Sequence, residues 1–341
     1  MRILVTGAAG FMGSYVVDSL VIRGDCEVWA VDDLSGGFRS NVNKSAHFEE
    51  LDLRDRIKTE DLFARVKPTL LYHLAADASE GRSQFTPISA TERNYLAYMY
   101  TLVPAIKHGL QRVVLTSSMS VYGAGDAPFS EDMPPKPEDI YGISKTAMEE
   151  ATKVLSKVHG FEYVIIRPHN VYGPRQNLSD PYRNVIGIFI NCLLNNKNFY
   201  IYGDGNQKRA FTYIDDFNPY FVSCGFANNV NGEIINLGPS EEHTINELAQ
   251  IVLSKFFPDN VPTHFKPQYV ALRPQEVVEA YCTNDKAKSL LGYKTSVGLE
   301  DGVARMIAWA RELGPQHFKY LQGGLELESA DVPKTWKQKL I

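Results

Sequence analysis

A tyrosine and a lysine four positions apart, Tyr141 and Lys145, begin a stretch of helical period in the sequence Tyr-Gly-Ile-Ser-Lys. Residues at this spacing share one face of a helix, so the phenol and the ammonium group are predicted neighbours. A free tyrosine has a pKa of about 10, which is too high for a base at neutral pH. A neighbouring ammonium group favours the phenolate, so the pair could remove a proton from a substrate hydroxyl.

A third candidate is Ser118, in the run Thr-Ser-Ser-Met-Ser-Val-Tyr-Gly that spans residues 116–123. This run directly follows an apolar segment with the composition of a buried strand. At a strand end, the Ser118 hydroxyl could share the hydrogen bond to the reacting oxygen. Ser118, Tyr141 and Lys145 are therefore the predicted catalytic residues.

The segments that would position these residues alternate between apolar, β-branched runs and amphipathic stretches. The predicted strands are residues 3–6, 27–31, 70–74, 113–116 and 163–167, and the first predicted helix is residues 10–23. Strands that alternate with helices predict an α/β fold with right-handed crossovers. We expect a Rossmann-type, doubly wound parallel sheet.

Three glycines, Gly7, Gly10 and Gly13, lie between the first predicted strand and the first predicted helix. Glycine there permits a tight turn, approach of backbone N–H groups to a pyrophosphate, and close helix–strand packing. The helix N-terminus adds a favourable partial positive charge. Asp32, at the end of the second strand, suits the 2′-hydroxyl of an adenine ribose and repels a 2′-phosphate. The predicted cofactor is therefore NAD rather than NADP, although Arg39 lies nearby in the sequence.

The alternation ends near Tyr172, where Gly173 and Pro174 interrupt the chain. We predict an NAD-binding Rossmann domain at residues 1–172, joined by segments near 211–236. Residues 173–313 would form mainly a smaller α+β substrate-binding domain, with helices at 182–196, 245–255 and 299–312. The C-terminal tail, residues 314–341, is expected to be a surface arm.

Composition limits the class of partner. A net charge of −5 and a pI near 5.9 argue against a nucleic acid or an anionic membrane. Neither a signal-peptide pattern nor a bilayer-spanning apolar run is visible. The four scattered cysteines argue against a zinc site or a disulfide framework. We expect a cytoplasmic enzyme, without a metal, that acts on a small molecule.

These motifs resemble the extended short-chain dehydrogenase/reductase family, and within it the nucleotide-sugar epimerases of the UDP-glucose 4-epimerase type. The resemblance extends to about residue 313. The matching positions are residues 6–13, Asp32, Asp52-Leu53, His73-Leu-Ala-Ala76, Asn94, Ser118, residues 141–145, residues 167–175, and Arg209 with residues 211–216.

The resemblance implies two sets of binding residues. The implied NAD-binding residues are Gly7, Gly10, Phe11, Met12, Gly13, Asp32, Asp33, Asp52, Leu53, Leu74, Ala75, Ala76, Asn94, Thr116, Tyr141, Lys145 and Pro168. The implied substrate-binding residues are Ser118, Ser120, Asn170, Asn184, Val185, Tyr200, Tyr202, Arg209, Arg273 and Glu276. Two arginines that converge on a diphosphate also match its charge.

The reaction that the resemblance implies is 4-epimerisation of a UDP-sugar. Tyr141 would take the proton of the sugar 4-hydroxyl while C4 gives hydride to NAD, and the 4-keto sugar would turn before the hydride returns. Related dehydratases and decarboxylases begin with the same oxidation, but typically carry an acid where this chain has Met119 and Ser120. That difference favours epimerisation.

Several alternatives remain open. An elimination could use Asp77, Glu80 or His169 as the acid or base, and Arg82 could meet an acidic sugar. A keto-reductase of small alcohols would use the same tyrosine and lysine, but Asp32 and the two arginines argue against it. A binding protein without turnover is disfavoured because the catalytic residues are intact.

The resemblance also has implications for which sugar the site accepts and for the oligomeric state. Ala280 stands where hexose-restricted epimerases hold a bulky tyrosine, so a 2-acetamido group could fit, although Tyr281 is adjacent. Epimerases of this type usually pair through two helices per subunit, and residues 92–107 and 144–158 could do so. We therefore expect a homodimer.

Overall fold

The computed structural model describes residues 1–341 and is built on a parallel sheet of seven strands. In chain order they are β1 (Arg2–Thr6), β2 (Glu27–Asp32), β3 (His47–Glu50), β4 (Leu70–His73), β5 (Arg112–Thr116), β6 (Glu162–Pro168) and β7 (Glu233–Leu237). Their order across the sheet is β7-β6-β5-β4-β1-β2-β3, so the direction of winding reverses between β1 and β4. The predicted Rossmann-type sheet is confirmed.

Two of the seven strands, β3 and β7, have no counterpart among the predicted strands. Both lie at the edges of the sheet, where a strand is less covered and carries more polar residues. The β3 sequence, His-Phe-Glu-Glu, contains no fully buried residue and no apolar run. The β7 sequence, Glu-Ile-Ile-Asn-Leu, comes from the second half of the chain and pairs with β6.

Helices cover both faces of the sheet. The longer ones are α1 (Phe11–Arg23), α2 (Arg56–Val66), α3 (Ala97–Lys107), α4 (Ile140–His159), α5 (Val185–Leu194), α6 (Ile214–Ser223), α7 (Ile245–Phe256), α8 (Asp285–Leu291) and α9 (Leu299–Leu313). Short helical turns are Arg39–Asn41, Glu80–Ser83, Pro87–Thr91, Glu92–Leu96, Met119–Tyr122 and Lys334–Lys337. No helix is both long and apolar enough to cross a lipid bilayer.

Alternate side chains of β1 show how the sheet divides the core. Ile3 and Val5 point into the cluster that includes α1 and α6, whereas Leu4 points into the cluster that includes α2, α3 and α4. This follows from the period of two in a strand. Because β1 is buried on both faces, its carboxyl end is held rigidly where the glycine-rich turn begins.

The second part of the chain packs α5, α7 and α9 together, with short strands beside them. These strands are Val171–Tyr172, Tyr200–Tyr202, Lys208–Arg209, Thr212–Tyr213, His243–Thr244, Gln268–Val270 and Glu279–Ala280. The helix predicted at residues 182–196 is shorter in the structure, Val185–Leu194. Asn184 has a left-handed backbone with φ of 66°, and the Tyr182 N–H donates to the Asp180 carboxylate, so the chain turns before the helix begins.

The tail at residues 314–341 is packed against the protein rather than detached. Val332 and Trp336 are buried in a small apolar cluster with Phe85 and Tyr182. These partners belong to two different segments of the main body, so the tail connects them.

The two helical stretches expected to pair subunits carry exposed apolar side chains. Val103, Val154 and Val158 are all exposed to solvent. Their exposure is compatible with the expected homodimer, which stays a prediction.

Candidate active site

The carboxyl ends of the sheet strands form the floor of one cleft with a volume of about 970 Å³. The second part of the chain and the tail form its other walls. All residues predicted to bind cofactor or substrate line this cleft, except Asn94. The three predicted catalytic residues line it as well, so the structure brings the three sets together.

The glycine-rich turn leaves no room for side chains. A Cβ atom on Gly7 would lie 2.7 Å from the Ala75 nitrogen, and one on Gly13 would lie 2.0 Å from the Gly7 oxygen. Gly7 also has a positive φ of 67°. No side chain caps the first turn of α1, so its N–H groups are free to bind a phosphate. The turn therefore fits a dinucleotide pyrophosphate.

Asp32 lies beside this turn. Its carboxylate accepts hydrogen bonds from the Ala9 and Leu34 N–H groups at 3.0 and 2.8 Å. Burial raises the pKa of Asp32, and the two N–H groups oppose that effect. Arg39 is paired with Glu50 at 3.7 Å at the surface. A ribose 2′-phosphate would meet the Asp32 carboxylate, which agrees with NAD.

The adenine end of the cleft is held by local contacts. The Asp52 carboxylate forms a bidentate ion pair with Arg54, and this pairing lowers the pKa of Asp52. Asp33 accepts from the Ser35 N–H at 2.9 Å. These bonds order the turns after β2 and β3, where an adenosine would lie.

Asn94 is fully buried beneath the cleft. Its amide oxygen accepts from the Asp77 N–H at 3.0 Å, and its amide nitrogen donates to the Asp77 and Ala90 carbonyls. The side chain thus fixes the segment that follows β4. This is a positioning role rather than a direct contact with a ligand in the cleft.

Tyr141 and Lys145 lie on the buried face of α4. The Lys145 Nζ donates to the Thr116 carbonyl at 2.7 Å and lies 5.7 Å from the centre of the Tyr141 ring. The Tyr141 N–H donates to the Ser83 hydroxyl at 3.2 Å. Ser118 accepts from the Ser120 N–H at 3.1 Å, which fixes its side chain at the end of β5. The three predicted catalytic groups therefore face one region of the cleft.

The electrostatic environment of the pair differs from the simple expectation. Burial raises the pKa of the Tyr141 phenol, the Glu80 carboxylate adds to this effect, and the Ser118 hydroxyl opposes it. Burial also lowers the pKa of Lys145 to about 7, although Glu149 and Glu80 oppose the change. With protein groups alone, the phenol is protonated at neutral pH. Its ionisation thus requires a further positive charge close to the ring.

Ser117 has a different role from its neighbour. It donates at 2.5 Å to Glu149, which is paired with Arg167 at 2.6 Å, and all three side chains are buried. This network joins β5, β6 and α4 at the level of the site. Sequence reasoning named neither Glu149 nor the pairing, because the three residues are far apart in the chain.

Two arginines that line the cleft share one carboxylate. Arg209 and Arg273 contact Glu276 at 2.9 and 2.7 Å. Burial raises the pKa of Glu276, but the two arginines outweigh it and hold the pKa below its usual value. The Arg273 guanidinium also stacks over the Tyr202 ring at 4.8 Å. The trio carries one net positive charge, which matches an anionic ligand group.

The remaining substrate candidates also line the cleft. Asn170 donates its amide to the Ala210 carbonyl at 2.9 Å, and Tyr200 is half-buried on the strand that also carries Tyr202. The Ser120 hydroxyl is buried and lacks a hydrogen-bond partner in the protein. A polar ligand group would satisfy it.

The structure separates the acids that could assist an elimination. His169 is buried outside the cleft, where its ring nitrogen contacts the Pro239 carbonyl at 3.2 Å. Asp77 is paired with Arg82 at 2.5 Å, so Arg82 is not free to meet an acidic sugar. Of these three residues, only Glu80 lines the cleft without an ion-pair partner. Its side chain is exposed toward the cleft, yet desolvation by the protein atoms around it raises its pKa to about 7.

Arg183 is a cleft residue that sequence reasoning missed. It is paired with Asp180 at 2.8 Å, and its charge also acts on Asp77 and Tyr141. The pattern of residues 182–196 predicted an ordinary helix and so gave no signal for this side chain. In the structure it precedes the helix, and its charge opposes the rise in the pKa of Tyr141.

Comparisons with known proteins agree with this geometry. The sequence model of the NAD dependent epimerase/dehydratase family matches residues 3–238. The UDP-glucose 4-epimerase of Mycolicibacterium smegmatis is 34% identical over 320 residues, which cover 91% of this chain and 99% of the relative. A UDP-N-acetyl-alpha-D-glucosaminuronate decarboxylase of Bacillus cytotoxicus is 31% identical over 328 residues, which cover 92% and 98%.

Solved structures show the same fold. The Thermotoga maritima UDP-glucose 4-epimerase with UDP-glucose has a TM-score of 0.84 and 32% identity, covering 92% of this chain and 99% of its own. The Bacillus cereus UDP-glucuronic acid 4-epimerase with UDP-glucuronic acid and NAD has a TM-score of 0.83 and 29% identity, covering 92% and 100%. Because 91–92% of this chain is covered, 8–9% of it lies outside these matches.

Proposed function

Because the chain belongs to the NAD dependent epimerase/dehydratase family, we propose that it is a 4-epimerase of UDP-hexoses or UDP-N-acetylhexosamines. Family membership makes it an enzyme with NAD as its cofactor. One observation carries the proposed reaction. Ser118, Tyr141 and Lys145 share a cleft with two arginines, and no acid stands at positions 119 and 120.

The catalytic residues would move one proton. Tyr141 accepts the proton of the sugar 4-hydroxyl, and Ser118 donates a hydrogen bond to the same oxygen. Lys145 adds positive charge beside the phenolate and is held in place by the Thr116 carbonyl. NAD, held by the glycine-rich turn and Asp32, would supply reversible hydride acceptance at C4. Tyr141 then gives the proton back to the new 4-hydroxyl.

Inversion requires that the 4-keto sugar present its other face. Arg209 and Arg273 line the cleft and would hold the diphosphate. The sugar would then meet the hydroxyl of Ser120 and the small Ala280, which also line the cleft and neither of which would clamp a ring. If the diphosphate is held and the sugar has few contacts, the 4-keto sugar can rotate about the bonds that join it to the diphosphate.

A second candidate function is a dehydratase or decarboxylase that starts with the same oxidation. It is favoured by Glu80, whose unpaired carboxyl group faces the cleft with a pKa raised by burial to about 7. A carboxyl of that pKa exchanges protons readily at neutral pH. The position is on the turn Glu80–Ser83, not after β5, where related dehydratases typically carry an acid. Retention of a deuterium label at C4 of the sugar, with no solvent deuterium at C5 or C6, distinguishes the two candidates, because only epimerisation returns the hydride to C4 and leaves the other positions unreacted.

Turnover of two UDP-sugars tests both the reaction and the sugar. Ala280 lines the cleft, whereas Tyr281 points away from it, as alternate residues of a strand do. We therefore expect NMR to show conversion of UDP-glucose and of UDP-N-acetylglucosamine to their C4 epimers without net NADH. If neither is converted, the proposed function is wrong; strong preference for UDP-glucose would contradict the role of Ala280 alone.

The substitution Ala280→Tyr provides the matching variant. A tyrosine ring there would fill the space assigned to the 2-acetamido group. We expect kcat/KM for UDP-N-acetylglucosamine to fall by at least about 10-fold, while UDP-glucose is converted as before. Val278→Tyr is the control, because Val278 is exposed.

A further inference from the structure

We propose that the tail, residues 314–341, is a wall of the nucleotide-sugar site, and that Trp336 and Thr335 are positioning residues for ligand binding. This inference rests on the proposed function. The notable feature is the number of bonds that the tail makes to segments carrying site residues. Those segments are the turn around Glu80, the loop before α5, and the strand Tyr200–Tyr202.

The first set of bonds joins the tail to the segment after β4. The Glu326 carboxylate accepts from the Ile88 and Ser89 N–H groups at 2.7 and 2.8 Å. The Glu326 and Leu327 N–H groups donate to the Phe85 carbonyl at 3.0 and 3.1 Å. The tail thus holds residues 85–89 in place. The turn Glu80–Ser83 directly precedes these residues, and its Ser83 hydroxyl accepts from the Tyr141 N–H.

A second set joins the tail to the opposite wall of the cleft. The Lys319 N–H donates to the Ser179 carbonyl at 2.8 Å, and the Leu321 N–H donates to the Tyr182 hydroxyl at 3.1 Å. The acceptor residues, Ser179 and Tyr182, come shortly before Arg183 and Asn184 in the chain. The tail therefore spans the cleft and ties its two sides together.

Trp336 and Thr335 anchor the end of this span. The Trp336 ring packs edge-on against Tyr182 and Phe85, with ring centres 5.2 and 6.3 Å apart. Thr335 is fully buried, and its hydroxyl lies 2.5 Å from the Tyr202 hydroxyl. Both tail residues line the cleft itself.

Trp336 and Thr335 also lie near the residues that are predicted to bind the diphosphate of the substrate. A Cβ on Gly81 would lie 3.6 Å from the Trp336 ring and 3.6 Å from an Arg273 guanidinium nitrogen. Arg273 stacks on Tyr202, which Thr335 contacts. Trp336 and Arg273 therefore both border Gly81, the residue after Glu80, and Thr335 fixes the Tyr202 ring on which Arg273 stacks.

The comparisons indicate that this wall is an addition. Relatives are matched over 98–100% of their own length, yet 8–9% of this chain is left outside. The unmatched share has the size of the tail, and the sequence resemblance also ends near residue 313. The contacts that position the ligand at this wall would then differ from those in the relatives.

Point variants of the tail test the proposal. We expect Trp336→Ala to raise KM for the UDP-sugar by about 10-fold with kcat nearly unchanged, because it loosens Arg273 without touching the proton-transfer groups. Trp336→Phe should restore most of the affinity, and Thr335→Val should give a smaller rise in KM. Lys337→Ala is the control, since Lys337 is exposed on the same turn.

Calorimetry with UDP and with the UDP-sugar on NAD-loaded protein separates the possible failures. Weaker UDP binding in Trp336→Ala, with NAD affinity and melting temperature retained, supports the proposal. Unchanged UDP affinity and KM in this variant would overturn it, as would equal losses of NAD and UDP binding in the Phe variant. If the wild-type protein binds no UDP or UDP-sugar, the proposed function fails first, and the tail's role in that site fails with it.

Discussion

Tyr141→Phe is expected to lower kcat by about 10³-fold, because a positioned general base typically contributes about 10²–10⁴-fold. The variant keeps the buried ring and removes only the oxygen that would exchange the proton. The substitution leaves the glycine-rich turn and Asp32 unchanged, so NAD affinity should stay the same. Epimerisation measured by NMR and NAD binding measured by calorimetry test the two halves of this prediction.

A matched control for this variant is Tyr98→Phe. Tyr98 is also fully buried, and its hydroxyl bonds at 2.6 Å to Thr152 of α4, the helix that carries Tyr141, but Tyr98 does not line the cleft. Its loss of a hydroxyl should reduce stability and leave kcat nearly unchanged. Equal activity of Tyr141→Phe and wild type would refute the assigned base; equal losses in both variants would point to a structural effect.

Gly13→Ala is expected to weaken NAD binding by about 10- to 100-fold, which corresponds to about 1–3 kcal/mol of overpacking. The new Cβ would lie 2.0 Å from the Gly7 carbonyl oxygen, so α1 must move away from the turn. That movement shifts the free N–H groups that we expect to hold the pyrophosphate. NAD titration by calorimetry measures the effect.

Gly298→Ala is the control for the glycine variant. Gly298 also precedes a helix, α9, but a Cβ there meets nothing within 4 Å. It should bind NAD as the wild type does. Wild-type NAD affinity in Gly13→Ala would contradict the placement of the pyrophosphate at this turn.

Much of the fold follows from local sequence patterns. The five strands predicted from apolar runs are present, because central parallel strands are covered on both faces and must be continuously apolar. The edge strands β3 and β7 lack that signal. The predicted start of α5, residue 182, was wrong. The left-handed backbone of Asn184 depends on tertiary contacts, and the periodicity of the sequence does not reveal it.

The candidate site divides in the same way. Tyr141 and Lys145 could be predicted because helical spacing brings them together, and Gly7 and Gly13 because only glycine fits their turn. The absence of an ion pair at Glu80 could not be predicted from the sequence. It depends on Arg82 and Arg183, which pair with other carboxylates in the folded protein. The same holds for the tail, whose contacts with Tyr202 and Phe85 join residues far apart in the chain.

The central claim is that the hydride removed from C4 returns to C4 and that no other sugar position reacts. A UDP-sugar carrying deuterium at C4, converted by the NAD-loaded protein in ordinary water, tests this directly by NMR. We predict that the C4 epimer retains the deuterium at C4 and that, in a parallel reaction in D2O, no carbon-bound position gains deuterium. Loss of the C4 label, or solvent deuterium at C5 or C6 with loss of water or carbon dioxide, would contradict epimerisation and favour an elimination assisted by Glu80.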